Sequence, residues 1–141
     1  MRKNFEHTAD IGIEVESSSL SEAFEEVSLS FTEIVTGGNL PKFKVIKEVR
    51  IESDNLDSLL VDFMSYLIVL FDTDFFITGS TELKISHNNN NNNKFILSGH
   101  LNGEIYDQEK HGYGVEIKAI SYHLLSVKEG PPAHIRVILD L

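Results

Sequence analysis

The first apolar pattern along the chain has the period of a β-strand. Residues 11–16 alternate large apolar side chains with glycine or glutamate, as expected of a strand that buries one face. A second strand-like apolar segment, residues 135–139, lies near the other end of the chain. Asp10 precedes the first segment and Asp140 follows the second. If the two strands lie side by side, these carboxylates come together at one edge of a sheet.

Two segments in the first half of the chain carry apolar residues at the helical spacing of three and four. The first begins with a capping box of Ser19 and Glu22 and ends before Gly37. The second follows Asp54, which we predict as its N-cap, and continues to Phe71. Its second half is apolar on most sides, which predicts a central helix covered on several faces.

The other apolar segments are short and separated by turn residues, which is typical of antiparallel strands. Residues 88–93 are all asparagine, and we predict a mobile hairpin loop because such a tract cannot pack in a core. Residues 130–132, Gly-Pro-Pro, predict the turn of a second hairpin. Two helices packed on mainly antiparallel sheet, with about six or seven strands, predict an α+β fold. The strands predicted after the first helix span residues 43–51, 75–78, 83–85, 95–105, 115–127 and 133–139.

Composition restricts the function. The 141 residues, 41% of them hydrophobic, suit a single domain over residues 1–141. The absence of cysteine excludes disulfides and thiolate chemistry and favours an intracellular protein, cytoplasmic or nuclear. No apolar run reaches the roughly 20 residues that span a bilayer, so we expect no membrane association. The net charge of −10 argues against direct nucleic-acid binding and suits a cation or a basic protein, although solubility alone also explains it.

Common catalytic signatures are absent from the sequence. It has no phosphate-binding glycine loop, no zinc-protease motif and no nucleophile elbow. Residues 106–114 are polar and contain two glycines, which predicts a surface loop of the kind that carries function. His111 in this loop and His7 near the N-terminus are surrounded by polar residues. We therefore predict these two histidines as possible functional or partner-contact residues.

Asp10, Asp140 and a carbonyl or terminal carboxylate of Leu141 form a candidate metal site. Ligands that offer only oxygen select hard cations, so calcium or magnesium is expected rather than zinc. Because about three protein ligands leave several coordination positions to water, we expect weak, exchangeable binding. The same residues also suit a structural interpretation, in which Asp10 caps a main-chain turn and Asp140 is solvated.

Three segments resemble the archease family. They are His7-Thr8-Ala9-Asp10-Ile11-Gly12, Lys118-Ala119-Ile120-Ser121-Tyr122-His123 and the closing Ile138-Leu139-Asp140-Leu141. Their order, their distances from the chain ends and the total length all fit, so the resemblance covers essentially the whole chain. It implies a duplicated strand–helix–strand–strand module, with one copy inserted in the other.

The resemblance also implies functional residues. The metal site of the family, carried over residue by residue, falls on Asp10, Asp140 and Leu141, the groups that the oxygen chemistry had already indicated. Lys118 becomes a candidate functional position through the second segment. A solvated strand lysine is an equally good interpretation of Lys118.

Archeases are accessory proteins of the GTP-dependent RNA ligase that joins tRNA exon halves. The resemblance therefore implies a non-catalytic activator that promotes guanylylation and multiple turnover of this ligase, which is its expected partner. Two alternatives remain: a chaperone or interaction module for RNA-modifying enzymes such as methyltransferases, and a stand-alone metal-dependent hydrolase that uses Asp10 and Asp140.

Overall fold

The structure is a computed structural model that describes residues 1–7, 10–88 and 93–141, with the main chain alone for residues 5–7. Seven strands and three helices lie within these ranges. The strands are β1 (Arg2–His7), β2 (Asp10–Ser17), β3 (Val45–Ser53), β4 (Phe76–Asn88), β5 (Lys94–Ile105), β6 (Ala119–Lys128) and β7 (Ala133–Asp140). The helices are α1 (Leu20–Thr36), α2 (Leu56–Asp74) and the one-turn α3 (Gln108–His111). The predicted α+β class is confirmed.

The strands form two antiparallel sheets that share one topology. The order is β1-β2-β7-β6 in the first sheet and β3-β5-β4 in the second. With β1 set aside, the elements form two strand–helix–strand–strand modules, β2-α1-β6-β7 and β3-α2-β4-β5. In each module the first strand pairs with the last, and the last pairs with the middle strand. The second module is inserted between α1 and β6 of the first, as the family resemblance implied.

Helix α1 begins and ends where the sequence predicts. The Ser19 hydroxyl oxygen accepts a hydrogen bond from the Glu22 N–H (3.2 Å), which satisfies one of the free donors of the first turn. Gly37 ends the helix at φ 84°, a conformation that glycine adopts without a steric cost.

Helix α2 is capped by Asn55, so the prediction of Asp54 as the N-cap is wrong. The Asn55 side-chain oxygen accepts a hydrogen bond from the Ser58 N–H (2.8 Å). Asp54, one residue earlier, instead pairs with Lys94 at the start of β5. α2 buries Leu59, Leu60, Phe63 and Met64 completely. Its second half is covered less than predicted, since Val69 is 53% exposed and Ile68 is half-buried.

A single hydrophobic cluster joins both sheets and both long helices, and it includes Ile13, Phe24, Phe63, Leu101 and Ile135. Helix α1 contacts β2 and β4, and α2 contacts β3 and β6, so each helix packs on both sheets. In the part of the chain that the structure describes, no helix is long and apolar enough to cross a membrane.

Several strand boundaries differ from the predicted ones. β1 was not predicted, because its polar N-terminal residues show no alternation. β4 continues through Gly79 by means of a register shift between Thr78 and Ser80. β6 begins only at Ala119, because residues 114 and 115 donate their N–H groups to carbonyl oxygens near the end of α1. β4 and β5 pair up to Asn88 and Lys94, while most of the asparagine run between them lies outside the described residues.

Candidate functional site

Four strand ends meet at one edge of the four-stranded sheet. The register pairs His7 with Asp10, Asp10 with Asp140, and Asp140 with Ala119. These residues end β1, begin β2, end β7 and begin β6 respectively. Asp10 and Asp140, together with the adjacent Leu141, are the acidic edge. The predicted pairing of the two aspartate-bearing strands is thus observed, while the side chain of His7 lies outside the described part.

The two aspartates of the acidic edge share the outer face of the sheet. Ile11 and Leu139, their neighbours along the strands, lie in the hydrophobic cluster at 8% and 0% exposure. Because side chains alternate along a strand, Asp10 and Asp140 face the opposite side. Residues directly opposite on antiparallel strands have Cβ atoms about 5 Å apart. The Oδ1 atom of Asp10 is shielded from solvent, whereas Asp140 is exposed.

Lys118 and Leu141 complete the surroundings of the acidic edge. The Lys118 N–H donates to the Asp140 carbonyl oxygen (2.8 Å), and the Lys118 residue is exposed. Leu141 is half-buried and packs against the hydrophobic cluster. The structure therefore brings Asp10, Asp140, Leu141 and Lys118 together, although the sequence places them at three distant positions.

The residues present fit a hard divalent cation. Two carboxylates directly opposite each other destabilise a sheet through like-charge repulsion, and a cation shared by them would offset this cost. Carboxylate and main-chain oxygens are the ligands of calcium and magnesium. Among the described side chains, no group of three or more His, Cys, Asp or Glu could hold a metal ion. The acidic edge thus offers two carboxylates and main-chain oxygen, and water or a partner would supply the remaining ligands.

His111 is not the exposed loop residue that the sequence predicts. It ends the one-turn helix α3 and is only 3% exposed. Its Nδ1 accepts a hydrogen bond from the Asp107 N–H (3.0 Å), and its ring stacks on Tyr106 at a centroid distance of 6.1 Å. Its carbonyl oxygen accepts from the Asn39 side-chain amide (2.7 Å). Residues 107–110 and 113–114 are exposed, as predicted for a surface loop. His111 alone is buried, because its hydrogen bonds to Asp107 and Asn39 and its contact with the Tyr106 ring hold it against the domain.

Sequence reasoning missed a buried carboxylate, Glu104, next to His111. Glu104 is 4% exposed and accepts hydrogen bonds from the Lys42 N–H (2.7 Å) and the Lys110 ammonium. The Lys110 hydrogen bond, followed by that from Lys42, lowers the pKa of Glu104 to about 2. No alternation marks this residue in the sequence, because residues 101–104 are all buried.

Comparisons with known proteins agree with this architecture. The Archease protein family (MTH1598/TM1083) matches residues 3–141. The protein archease of Pyrococcus furiosus is 36% identical over 129 residues, 92% of this chain and 89% of that protein. The protein archease of Sulfolobus acidocaldarius is 33% identical over 138 residues, 97% of this chain and 96% of that protein.

A solved structure supports the same conclusion. The solution structure of Methanobacterium thermoautotrophicum protein 1598 superposes with a TM-score of 0.78 at 30% sequence identity. The superposition covers 99% of this chain and 98% of that one. The matches therefore include both modules and both strands of the acidic edge, and the chain belongs to the archease family.

Proposed function

We propose that this protein is a non-catalytic activator of the GTP-dependent RNA ligase that joins tRNA exon halves, and that it promotes the guanylylation and multiple turnover of that ligase. Membership of the archease family supports an accessory role. The observation that carries the proposal is the pairing of Asp10 with Asp140 on the outer face of the sheet. A carboxylate pair at a sheet edge is suited to approach a centre where phosphates and divalent cations react.

Asp10, Asp140 and an oxygen of Leu141 would hold a divalent cation, which neutralises phosphate charge when it is bound. The carboxylates are held on the outer face of the sheet, because Ile11 and Leu139 beside them are buried in the core, and this face would meet the partner. The net charge of −10 favours a basic surface on the partner and speeds the encounter. The acidic edge then shifts the ligase toward the conformation that accepts GTP, by binding that conformation more tightly.

The test is multiple-turnover exon ligation by the ligase of the same organism, with GTP and a divalent cation. We expect substoichiometric wild-type protein to stimulate turnover, and Asp10→Asn or Asp140→Asn to abolish the stimulation because each removes one charged ligand. Asp57→Asn is the matched control, since it neutralises an exposed acid in the first turn of α2 and should leave the stimulation intact.

Guanylylation of the ligase is measured in the same reactions, and circular dichroism verifies that each variant is folded. Full stimulation by a folded Asp10→Asn or Asp140→Asn variant contradicts the role of the acidic edge. A wild-type protein that affects neither ligation nor guanylylation contradicts the activator function itself.

A further inference from the structure

β6 contains a large bulge close to the acidic edge. Ser121 pairs with Ile138 and Ser126 pairs with Arg136, so four residues of β6 lie opposite the single residue Val137 of β7. β6 is an outer strand of its sheet. Bulges in outer strands turn side chains away from their regular direction.

The bulge turns apolar side chains toward solvent. Ile120 pairs with Leu139. Leu139 belongs to the core cluster and Ile120 packs against it. Two residues later, regular alternation would place Tyr122 on the same face, yet Tyr122 is 63% exposed. Leu125 packs against the cluster instead. Tyr122, His123 and Leu124 therefore form an exposed protrusion, with Leu124 at 55% exposure.

The main chain of this protrusion is strained. Leu124 has φ 57°, the left-handed conformation that a residue with a Cβ adopts at a cost. Strain of this kind persists where the surrounding structure holds it, and it clusters at binding and catalytic sites. An exposed tyrosine and leucine on strained backbone point to a contact rather than to the needs of the fold.

The protrusion lies beside the acidic edge. Tyr122 follows Ala119, the register partner of Asp140, by three residues, which is about 10 Å along a strand. One partner surface of ordinary size therefore spans both features. Tyrosine is among the residues that contribute most to binding energy at protein interfaces.

On this basis, and resting on the proposed function, we infer that Tyr122 and Leu124 are the docking contact for the ligase. Their side chains insert into an apolar recess beside the basic, cation-binding surface that receives the acidic edge. The bulge interrupts the row of main-chain groups that another strand would need for pairing, so the contact is made through side chains. A second copy of this chain is disfavoured as the occupant, because a symmetric contact would bring two acidic edges together.

The test separates docking from activation by titration of the protein into the ligation reaction. Tyr122→Ala combined with Leu124→Asn removes both apolar side chains, and asparagine tolerates the left-handed conformation. We expect the concentration for half-maximal stimulation to rise about tenfold or more, as for loss of an interface hot spot, while stimulation at saturation stays at the wild-type level.

Two further variants sharpen the comparison. Ile46→Ala is the matched control, because Ile46 is 53% exposed on β3, an outer strand of the other sheet, and it should leave the titration unchanged. Tyr122→Phe retains the ring and should behave as the wild type.

Each contrary result has a distinct meaning. An unchanged titration with the double variant overturns the docking assignment and leaves the activator function intact. Loss of stimulation at every concentration by a folded double variant also overturns it, because the residues would then act in activation rather than in docking. A wild-type dimer that the double variant dissociates, as seen by light scattering, assigns the surface to a second copy instead. Absence of stimulation by the wild type overturns the docking assignment and the proposed function together.

Discussion

Glu104 shows how this fold stabilises a buried carboxylate with groups from separate segments. Its two oxygens accept from the Lys42 N–H before β3 and from the Lys110 side chain in α3. A buried charge costs free energy unless it is paired and hydrogen-bonded. Glu104 therefore connects the end of β5 to two segments that otherwise have little regular structure.

Glu104→Gln should lower the free energy of unfolding at pH 7 by about 1–3 kcal/mol, because the neutral amide weakens the charged hydrogen bonds. The folded-state pKa of about 2 lies below the ordinary 4.5. The stabilisation by the carboxylate is therefore fully present above about pH 4.5 and is lost as the pH falls toward 2. Urea unfolding at pH 7 and at pH 3 measures the difference between wild type and variant, which should be smaller at pH 3.

Glu82→Gln serves as the control for that experiment. Glu82 faces His100 at 3.3 Å but its side chain is 72% exposed, so its replacement should change stability by less than about 1 kcal/mol. A Glu104→Gln variant as stable as the wild type, or a difference that grows on acidification, would show that the carboxylate does not anchor these segments.

At the scale of secondary-structure elements, the two modules differ in the charge that faces the acid at the end of their last strand. The last strand of each module has an acid at or next to its end. Asp140 is the last residue of β7, and Glu104 is one residue before the end of β5. In the second module the Lys44 ammonium lies 3.8 Å from Glu104 and contributes to its neutralisation. In the first module the residue opposite Asp140 is another acid, Asp10. The pair of Asp10 and Asp140 is therefore where the proposed divalent cation would reduce like-charge repulsion.

The observed N-cap of α2 leads to a test at this scale. Asn55→Ala should lower the free energy of unfolding by about 1 kcal/mol, because the Ser58 N–H loses its acceptor. Asp54→Ala should cost less than about 1 kcal/mol, since the Asp54 side chain is 77% exposed in its pair with Lys94. Urea unfolding of both variants at pH 7 shows which one loses more free energy of unfolding. A larger loss for Asp54→Ala than for Asn55→Ala would indicate that Asp54 is the N-cap after all.

The elements also show where sequence patterns suffice. The alternation in residues 11–16 and the apolar character of residues 135–139 were enough to predict two strands, and their observed pairing places Asp10 opposite Asp140. The bulge in β6 was not predicted. Its one sequence signal is the pair of consecutive leucines, Leu124 and Leu125, which breaks the alternation. In the structure Leu124 is exposed and Leu125 packs against the core. His111 was misplaced because polarity indicates exposure only on average, and its burial depends on Tyr106 and Asn39 contacts that no local pattern encodes.

At the scale of the whole molecule, the acidic edge is where a divalent cation would act on stability. It joins β2 near the beginning of the chain to β7 at its end, within a protein of net charge −10. A cation that binds the folded state alone stabilises it by about 2.7 kcal/mol at 100 times its dissociation constant. For a chain of this size, that corresponds to a rise of several degrees in Tm.

Asp140→Asn separates this effect from simple charge repulsion. Without added cation, in a chelator, the variant should be as stable as the wild type or more stable by about 0.2–1 kcal/mol, because two like charges no longer face each other. With millimolar calcium or magnesium the order should reverse, since the variant retains a single charged ligand. Thermal unfolding of both proteins, in chelator and with the cation, shows whether the order of their Tm values reverses. Asp57→Asn is the charge-matched control. Equal responses of wild type and Asp140→Asn to the cation would mean that the ion binds elsewhere, and the two carboxylates would then act on the partner without a metal of their own.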